Sequence, residues 1–146
     1  MRLKAKEITK RFINIWDHLD KGGIALPDEL YWIPSTQDIQ KFLNESHFDR
    51  MTWTKELFDC DDFALVFHSY VVKKRYQMLQ ESKLSKKERL PWTIGQSWLT
   101  KVKGKKWHHA INVALTRDND VIFIEPQSDE IWKADPKKDH PVFIRM

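Results

Sequence analysis

The amino-acid sequence predicts an α+β fold in which N-terminal helices pack on a C-terminal antiparallel β-sheet. Two observations support this prediction. Apolar residues recur at helical spacing through the first half of the chain, whereas from Trp92 onward they follow the pattern of β-strands. Helices and strands are therefore segregated along the chain, which is typical of α+β domains.

Three helices are predicted in the first half. The first carries an apolar stripe and ends at Gly22–Gly23, a strong stop signal. The second follows Ser35, a favoured N-cap residue. The third and longest runs from about Asp59 to Gln80, and Asp59 and Asp62, three residues apart, form a plausible cap pair.

Five strands are predicted in the second half, joined by tight turns at Gly104 and over residues 117–120. The strands cover Trp92–Val102, Trp107–Thr116, Val121–Glu125, Ile131–Lys133 and Val142–Arg145. Because each strand follows the previous one after a short turn, we expect an antiparallel meander with the third helix packed against it.

Length and composition predict one domain over residues 1–146, since a single core commonly forms at roughly 100 to 200 residues. The 41% hydrophobic and 12% aromatic residues supply a substantial core, which excludes a disordered chain. No stretch approaches the roughly 18 apolar residues of a membrane helix, and the amino terminus lacks the apolar core of a signal peptide. We therefore expect no membrane partner and a cytoplasmic or otherwise reducing compartment, which suits a single cysteine.

The net charge of +4 comes from two basic clusters, Lys83–Arg89 and Lys101–Lys106. Clusters of this kind are typically solvated loops. No nucleic-acid-binding motif accompanies them, so we expect no specific nucleic-acid partner.

Cys60 lies at the predicted start of the third helix, in the segment FDCDDFA. Unsatisfied backbone N–H groups and the positive end of the helix dipole favour a thiolate there. The carboxylates of Asp59, Asp61 and Asp62 oppose ionisation, so a histidinium or a bound cation is needed beside the sulfur. A lone cysteine is also a common small core residue, and that interpretation stands beside the catalytic one.

Histidines follow in the segment WHHAINV, which has the pattern of a strand. Adjacent side chains of a strand point to opposite faces, so only one of His108 and His109 can face Cys60. The next strand ends at Glu125 in the segment EPQ and brings a carboxylate beside the histidine strand.

The length of the loop between these two strands decides which histidine is presented. A three-residue loop, Arg117 to Asn119 with Asn119 left-handed, places His109 diagonal to Glu125 on one face. A four-residue loop shifts the register by one and presents His108 instead. The sequence leaves both registers open.

The segments CDDFA, HAIN and EPQ, in this order, resemble the papain-like domain at the carboxyl terminus of a fungal agglutinin and bacterial transglutaminase-like predicted cysteine proteases. The resemblance covers roughly Trp53 to Trp132. It implies a papain-like fold and a cysteine hydrolase that acts on amide bonds through a thioester intermediate. Cys60 corresponds to the nucleophile, His109 to the general base and Glu125 to the residue that orients the histidine.

The same resemblance implies that Trp53 and Gln127 line the substrate-binding wall, and we predict Asn112 of the HAIN segment as a third substrate-binding residue. The motif itself requires no cofactor. The agglutinin-type protease is calcium-dependent, and Ca²⁺ held by Asp61 and Asp62 would offset the acidic repulsion around the cysteine.

The predicted partner is a peptide or protein substrate, with carbohydrate as an alternative ligand. Transfer of the acyl group to an amine uses the same nucleophile and base as hydrolysis, so both reactions stay open. Two other functions are also open: a catalytically silent lectin-like or peptide-binding module on the same fold, and a cell-wall amidase or endopeptidase.

Overall fold

The structure, a computed structural model, describes residues 1–118 and 120–146, so the predicted left-handed Asn119 lies outside the described residues. The α-helices are α1 (Ala5–Ile15), α2 (Thr36–Ser46) and α3 (Cys60–Gln80). The strands are β1 (Arg2–Lys4), β2 (Ile24–Ala25), β3 (Leu30–Trp32), β4 (Ile94–Val102), β5 (Lys105–Thr116), β6 (Asp120–Glu125), β7 (Glu130–Lys133) and β8 (His140–Arg145).

The strands form two sheets, and their arrangement corrects the predicted fold. The larger sheet has six strands in the order β2-β8-β4-β5-β6-β7, and β1 pairs with β3 in a small second sheet. The pair β2–β8 is parallel, whereas the other pairs of the large sheet are antiparallel. The α+β class stands, but the prediction of a purely antiparallel, C-terminal sheet is wrong. Strands of two or three residues carry no readable periodicity, so the sequence did not reveal the N-terminal strands.

Helix α3 begins where the sequence predicts, and its first turn is capped. The carboxylate of Asp62 accepts a hydrogen bond of 3.3 Å from the backbone N–H of the N-cap residue Asp59. The inner face of the helix buries Phe63, Ala64, Phe67 and Val71 and packs on β5 and β4. Cys60 therefore lies in the first turn of a helix that is held against the sheet.

Strand β5 is covered on both faces. Ile111 and Val113 belong to a core that also contains residues of α1, whereas Ala114 belongs to a second core formed with α2 and α3. Burial on both faces explains why the segment AINVAL is apolar almost throughout rather than alternating. A strand fixed from both sides is a rigid support for the histidine that it carries.

The register between β5 and β6 decides between the two predicted histidines. Asn112 pairs with Ile124, and Thr116 pairs with Asp120, so residues 117–119 form the connection. This is the three-residue alternative, and it places His109 on the diagonal with Glu125.

No helix within residues 1–118 and 120–146 is long and apolar enough to cross a membrane.

Candidate active site

Helix α3 and strands β5 and β6 bring Cys60, His109 and Glu125 into one cleft of about 440 Å³. Cys60 comes from the first turn of α3, His109 from the middle of β5 and Glu125 from the end of β6. The cleft is lined by Trp53, Asp59, Cys60, Trp107, His108, His109, Glu125 and Gln127. The three predicted catalytic residues therefore come together, and their catalytic roles stay predictions.

The imidazole of His109 bridges the thiol and the carboxylate. Its Nε2 donates a hydrogen bond of 2.5 Å to Oε2 of Glu125. Cys60 lies beside the same ring and raises its pKa, and Nδ1 is the ring nitrogen that is not bonded to Glu125. The other carboxylate oxygen of Glu125 accepts from the backbone N–H of Gln127 at 3.2 Å, which fixes the carboxylate. Nε2 of His109 is thus held by a fixed carboxylate, and Cys60 lies beside the same ring within the cleft.

The surroundings of His109 favour its charged form. The side chain is only 5% exposed, and this burial, the largest single effect, lowers its pKa. The hydrogen bonds to Cys60 and Glu125, together with their negative charges, outweigh burial and raise the pKa of His109 to about 9. At neutral pH the ring is therefore an imidazolium, the partner that a cysteine needs for a thiolate in an acidic segment.

Trp107 is a site residue that the sequence analysis missed. Its indole stacks on the His109 ring, with centroids 3.9 Å apart and planes at 9°. It is 52% exposed, so one face covers the imidazole and the other faces the open cleft. The available signal was the spacing of two residues along a strand, which puts both side chains on the same face. The stacked ring shields the His109–Glu125 pair and favours the cationic imidazole.

The predicted substrate-binding residues divide into two groups. Trp53 and Gln127 line the cleft. Asn112 does not: it is fully buried, and its amide donates to the carbonyls of Ala64 at 2.8 Å and Gly95 at 2.9 Å. Its position does not fit substrate contact, because a residue three positions from His109 on a strand faces the opposite side. Asn112 instead ties α3 to β4 and β5.

The acidic residues around Cys60 form a tight group. Ligand atoms of Asp59, Cys60 and Asp61 lie within 4.8 Å of one another, whereas Asp62 is turned toward the helix cap. A hydrogen bond to Asp59, followed by burial and nearby negative charge, raises the pKa of Asp61. Calcium takes about six to eight oxygen ligands, so Asp61 and Asp62 do not form a calcium cage by themselves. Calcium binding by these two residues stays a prediction.

Two solved structures have similar folds, and the description of one of them names a lectin. A structure described as "PSL1a-E64 complex" has a TM-score of 0.76 and 22% identity, covering 99% of this chain and 51% of that chain. A Polyporus squamosus lectin bound to the human-type influenza-binding epitope Neu5Aca2-6Galb1-4GlcNAc has a TM-score of 0.72 and 23% identity, covering 99% of this chain and 49% of that chain. This chain therefore spans about half the length of the proteins whose fold it shares. Among curated protein sequences, none matches it.

These comparisons correct part of the expectation drawn from the sequence motifs. The expected likeness to a fungal agglutinin is confirmed. The matching family is described as an agglutinin domain, and one of the similar structures as a lectin. These descriptions contradict the expected terms hydrolase and thiol protease. A papain-like or transglutaminase-like affiliation is not shown, and the fold is that of the lectin structures.

A family model for agglutinin C-terminal domains matches residues 31–131. The matched segment is more than half of the 146 residues and runs from β3 to β7, so it includes all of α3, β5 and β6. The chain thus belongs to the Agglutinin C-terminal family.

Proposed function

We propose that this domain carries out acyl transfer from a carbonyl substrate to an amine, with Cys60 as the nucleophile. The observation that carries the proposal is that Cys60, His109 and Glu125 line one cleft, with Nε2 of His109 bonded to Glu125 and Cys60 close enough to raise the pKa of the ring. An imidazole that pairs with a sulfur on one side and a carboxylate on the other is the arrangement that activates a cysteine.

The first half of the reaction uses the charged pair. The Cys60 thiolate attacks the carbonyl carbon, a C–S bond forms, and the carbonyl electron pair moves to oxygen. The backbone N–H of Cys60, in the first turn of α3, has no helical acceptor and is available to that oxyanion. As the tetrahedral intermediate collapses, the His109 imidazolium gives a proton to the leaving amine or alcohol, which leaves a thioester on Cys60.

The second half regenerates the thiol. Neutral His109 takes a proton from an amine, and that nucleophile attacks the thioester carbon. The C–S bond breaks, the acyl group leaves on the acceptor, and the sulfur and imidazole return to the charged pair. Glu125 accepts the hydrogen bond from Nε2 of His109 throughout, which fixes the ring orientation and stabilises its charge.

A second candidate function is glycan recognition without covalent chemistry. One of the similar structures is a lectin bound to a sialylated epitope, although this chain spans only about half of that protein. Trp53 and Trp107 line the cleft and are each about half exposed, so both offer aromatic faces to a sugar ring. In this case Cys60 is an ordinary thiol, and the bound partner is a carbohydrate.

The rate of alkylation by iodoacetamide, followed between pH 5 and pH 9 by intact mass, separates the two functions. The matched reference is the same chain unfolded in urea, whose thiol reacts with a midpoint near that of free cysteine, about pH 8.5. Acyl chemistry requires rapid labelling of the folded protein well below that pH, and a 4-nitrophenyl ester then leaves an acyl adduct on Cys60. If the folded chain labels with the midpoint of the unfolded chain, the acyl proposal is rejected. Loss of glycan binding in Trp53→Ala and Trp107→Ala would then support the second function.

A further inference from the structure

A second cavity, of about 490 Å³, lies between α3, residues 84–92 and the ends of β4 and β8. It shares no lining residue with the Cys60 cleft. Its walls are mainly apolar and include Leu65, Val72, Leu79, Leu84, Leu90 and Trp92. Small-molecule sites are typically apolar clefts of about 300 to 1,000 Å³ with a few polar groups, so size and lining are those of a ligand site.

A buried amide without a protein partner lines this cavity. Gln96, on β4, is 5% exposed and belongs to the lining. Its side-chain amide makes no hydrogen bond to any residue of the described ranges, 1–118 and 120–146. Buried polar groups in folded proteins normally have hydrogen-bond partners, so both the donor and the acceptor of Gln96 are available to a ligand.

A cation lies next to this amide. Arg145, on β8, is directly opposite Gln96 in the antiparallel register, and side chains at such positions project to the same face. Gly95 allows the two strands to approach, since a Cβ there would lie 1.9 Å from the carbonyl oxygen of Arg145. Arg145 forms no ion pair with any residue that the structure describes.

An imidazole on α3 completes the polar wall. Burial, followed by the positive charge of Arg145, lowers the pKa of His68, so this ring is neutral at neutral pH. A neutral imidazole supplies one N–H donor beside the guanidinium and the amide. This donor set matches a carboxylate, which accepts charge-assisted hydrogen bonds from arginine in a bidentate geometry.

The other charged groups of the lining are mostly occupied. The Glu88 carboxylate accepts from the backbone N–H of Ser85 at 3.0 Å, and Arg75 donates to the carbonyl of Leu90 at 3.2 Å. Asp28 and Arg89 are exposed charges of opposite sign at the edge. Arg145 therefore leaves a positive excess beside Gln96, and charge complementarity selects an anion.

We propose that this cavity binds a small organic acid with an elongated apolar body. The carboxylate meets Gln96, Arg145 and His68, and the apolar body lies along α3 toward Leu79 and Trp92. Covalent chemistry is not required, and Cys60 takes no part in this binding.

Binding of decanoate, held below its micelle concentration, tests the proposal by calorimetry and by quenching of tryptophan fluorescence, since Trp92 lines the cavity. Decanol is the matched probe, with the same apolar chain and no charge. We expect saturable binding of one decanoate per chain and an affinity for decanol weaker by about tenfold or more, because decanol lacks the charge-assisted bonds. Absence of saturable decanoate binding, or equal affinities for both probes, would overturn the proposal.

Three variants locate the site. Val72→Trp places a large side chain in the cavity at a position that is 58% exposed, and Val142→Trp is the matched control at an exposed valine outside the lining. We expect Val72→Trp to weaken decanoate binding by about tenfold or more, since it fills apolar space, and Val142→Trp to bind like the unmodified protein. Arg145→Gln should reduce the affinity for decanoate to that for decanol.

A second blocking variant protects the test against misfolding. Leu65→Trp, at another exposed position of the lining, replaces Val72→Trp if that variant loses its far-UV circular dichroism. Unchanged decanoate binding in a folded blocking variant rejects the cavity as the site. Self-association that a blocking variant abolishes would assign the cavity to a contact between copies of this chain, and the organic-acid proposal would fail.

Discussion

The two cavities beside α3 use buried polar groups in opposite ways. In the Cys60 cleft, the buried His109 is bonded to Glu125 through Nε2 and lies beside Cys60. In the apolar cavity, the buried Gln96 lacks a side-chain partner within residues 1–118 and 120–146, as does the exposed Arg145 opposite it. A buried group with fixed partners changes the charge and reactivity of its neighbour, whereas a buried group without them gains most from a ligand. The first arrangement suits chemistry, and the second suits recognition.

The histidines of the two cavities show the same contrast. Burial lowers the pKa of both His68 and His109. Arg145 adds a positive charge beside His68, whereas Glu125 and Cys60 add hydrogen bonds and negative charge beside His109. Burial acts on both rings in the same direction, but their neighbours carry opposite charges. At neutral pH the His68 ring is therefore neutral and the His109 ring is charged.

The largest expected effect is that of removing the paired imidazole. We predict that His109→Ala lowers the rate of Cys60 alkylation at pH 6.5 by about a hundredfold, because a thiol with an ordinary pKa near 8.5 is then about 1% thiolate. His108→Ala is the matched control, since His108 also lines the cleft and is exposed. The measurement is the second-order rate constant with iodoacetamide. An equal loss in both variants would show that His109 has no special role.

Asn112 ties α3, which borders both cavities, to β4 and provides a test of their shared support. We predict that Asn112→Ala lowers the free energy of unfolding by about 1 to 3 kcal/mol, because two buried hydrogen bonds are lost. Asn44→Ala is the control at an exposed position of α2, where Asn44 accepts a hydrogen bond of 2.8 Å from Gln40. Urea denaturation measures both. A cost for Asn112→Ala no greater than that of the control would contradict its role in holding α3 on the sheet.

The candidate site was more predictable from sequence than the sheet that supports it. The start of α3 follows from a local signal, the cap pair Asp59 and Asp62, and the position of His109 relative to Glu125 follows from one loop length. Both signals involve residues that are close in sequence. Cys60 and His109 are far apart in sequence, so no local signal predicts that they are neighbours. That prediction came from the order of the three motifs, which resembles the order in a known family.

The remaining features depend on contacts between distant segments. β2 pairs in parallel with β8 across more than a hundred residues, and two residues are too few for a periodic pattern. Asn112 was predicted to contact substrate because it follows His109 in one motif, although strand alternation already places it on the other face. Gln96 gave no signal, since its lack of a partner becomes visible only when the surrounding side chains are placed.

Variants that remove a neighbouring charge should shift the pKa values of His109 and His68 in opposite directions. We predict that Glu125→Gln lowers the pKa of His109 from about 9, since a hydrogen bond to a charge and the charge itself are lost. Arg145→Gln should raise the pKa of His68 by a smaller amount, because burial, the larger cause of its shift, is retained. Titration of the ring signals by NMR measures both. Shifts of the same sign would refute the contrast between the cavities.

The pair of His109 and Glu125 also makes the stability of the folded protein depend on pH. The folded pKa of His109, about 9, lies above the unfolded value of about 6.5, so its charge stabilises the protein fully below pH 6.5. This stabilisation is lost as the pH rises toward 9. The difference in unfolding free energy between the unmodified protein and Glu125→Gln, about 1 to 3 kcal/mol, should therefore be constant below pH 6.5 and shrink above it.

The smallest expected effect is that of a divalent cation on the acidic segment. Asp59 and Asp61 share a hydrogen bond that raises the pKa of Asp61, and a cation replacing that proton would add positive charge near the sulfur. We predict that calcium chloride raises the alkylation rate of Cys60 at pH 6 by about two- to fivefold, reversed by a chelator, and that Asp61→Asn removes the response. Asp17→Asn, at an exposed acid of the N-terminal region, should retain it.

Potassium chloride of equal ionic strength separates cation binding from screening, which acts on all exposed charges alike. A rise of equal size with potassium chloride would exclude a bound cation. Decanoate binding is the internal reference, because Asp61 does not line the apolar cavity. If calcium changes the Cys60 rate and leaves decanoate affinity unaltered at matched ionic strength, then the paired groups of the cleft respond to added charge independently of the apolar cavity.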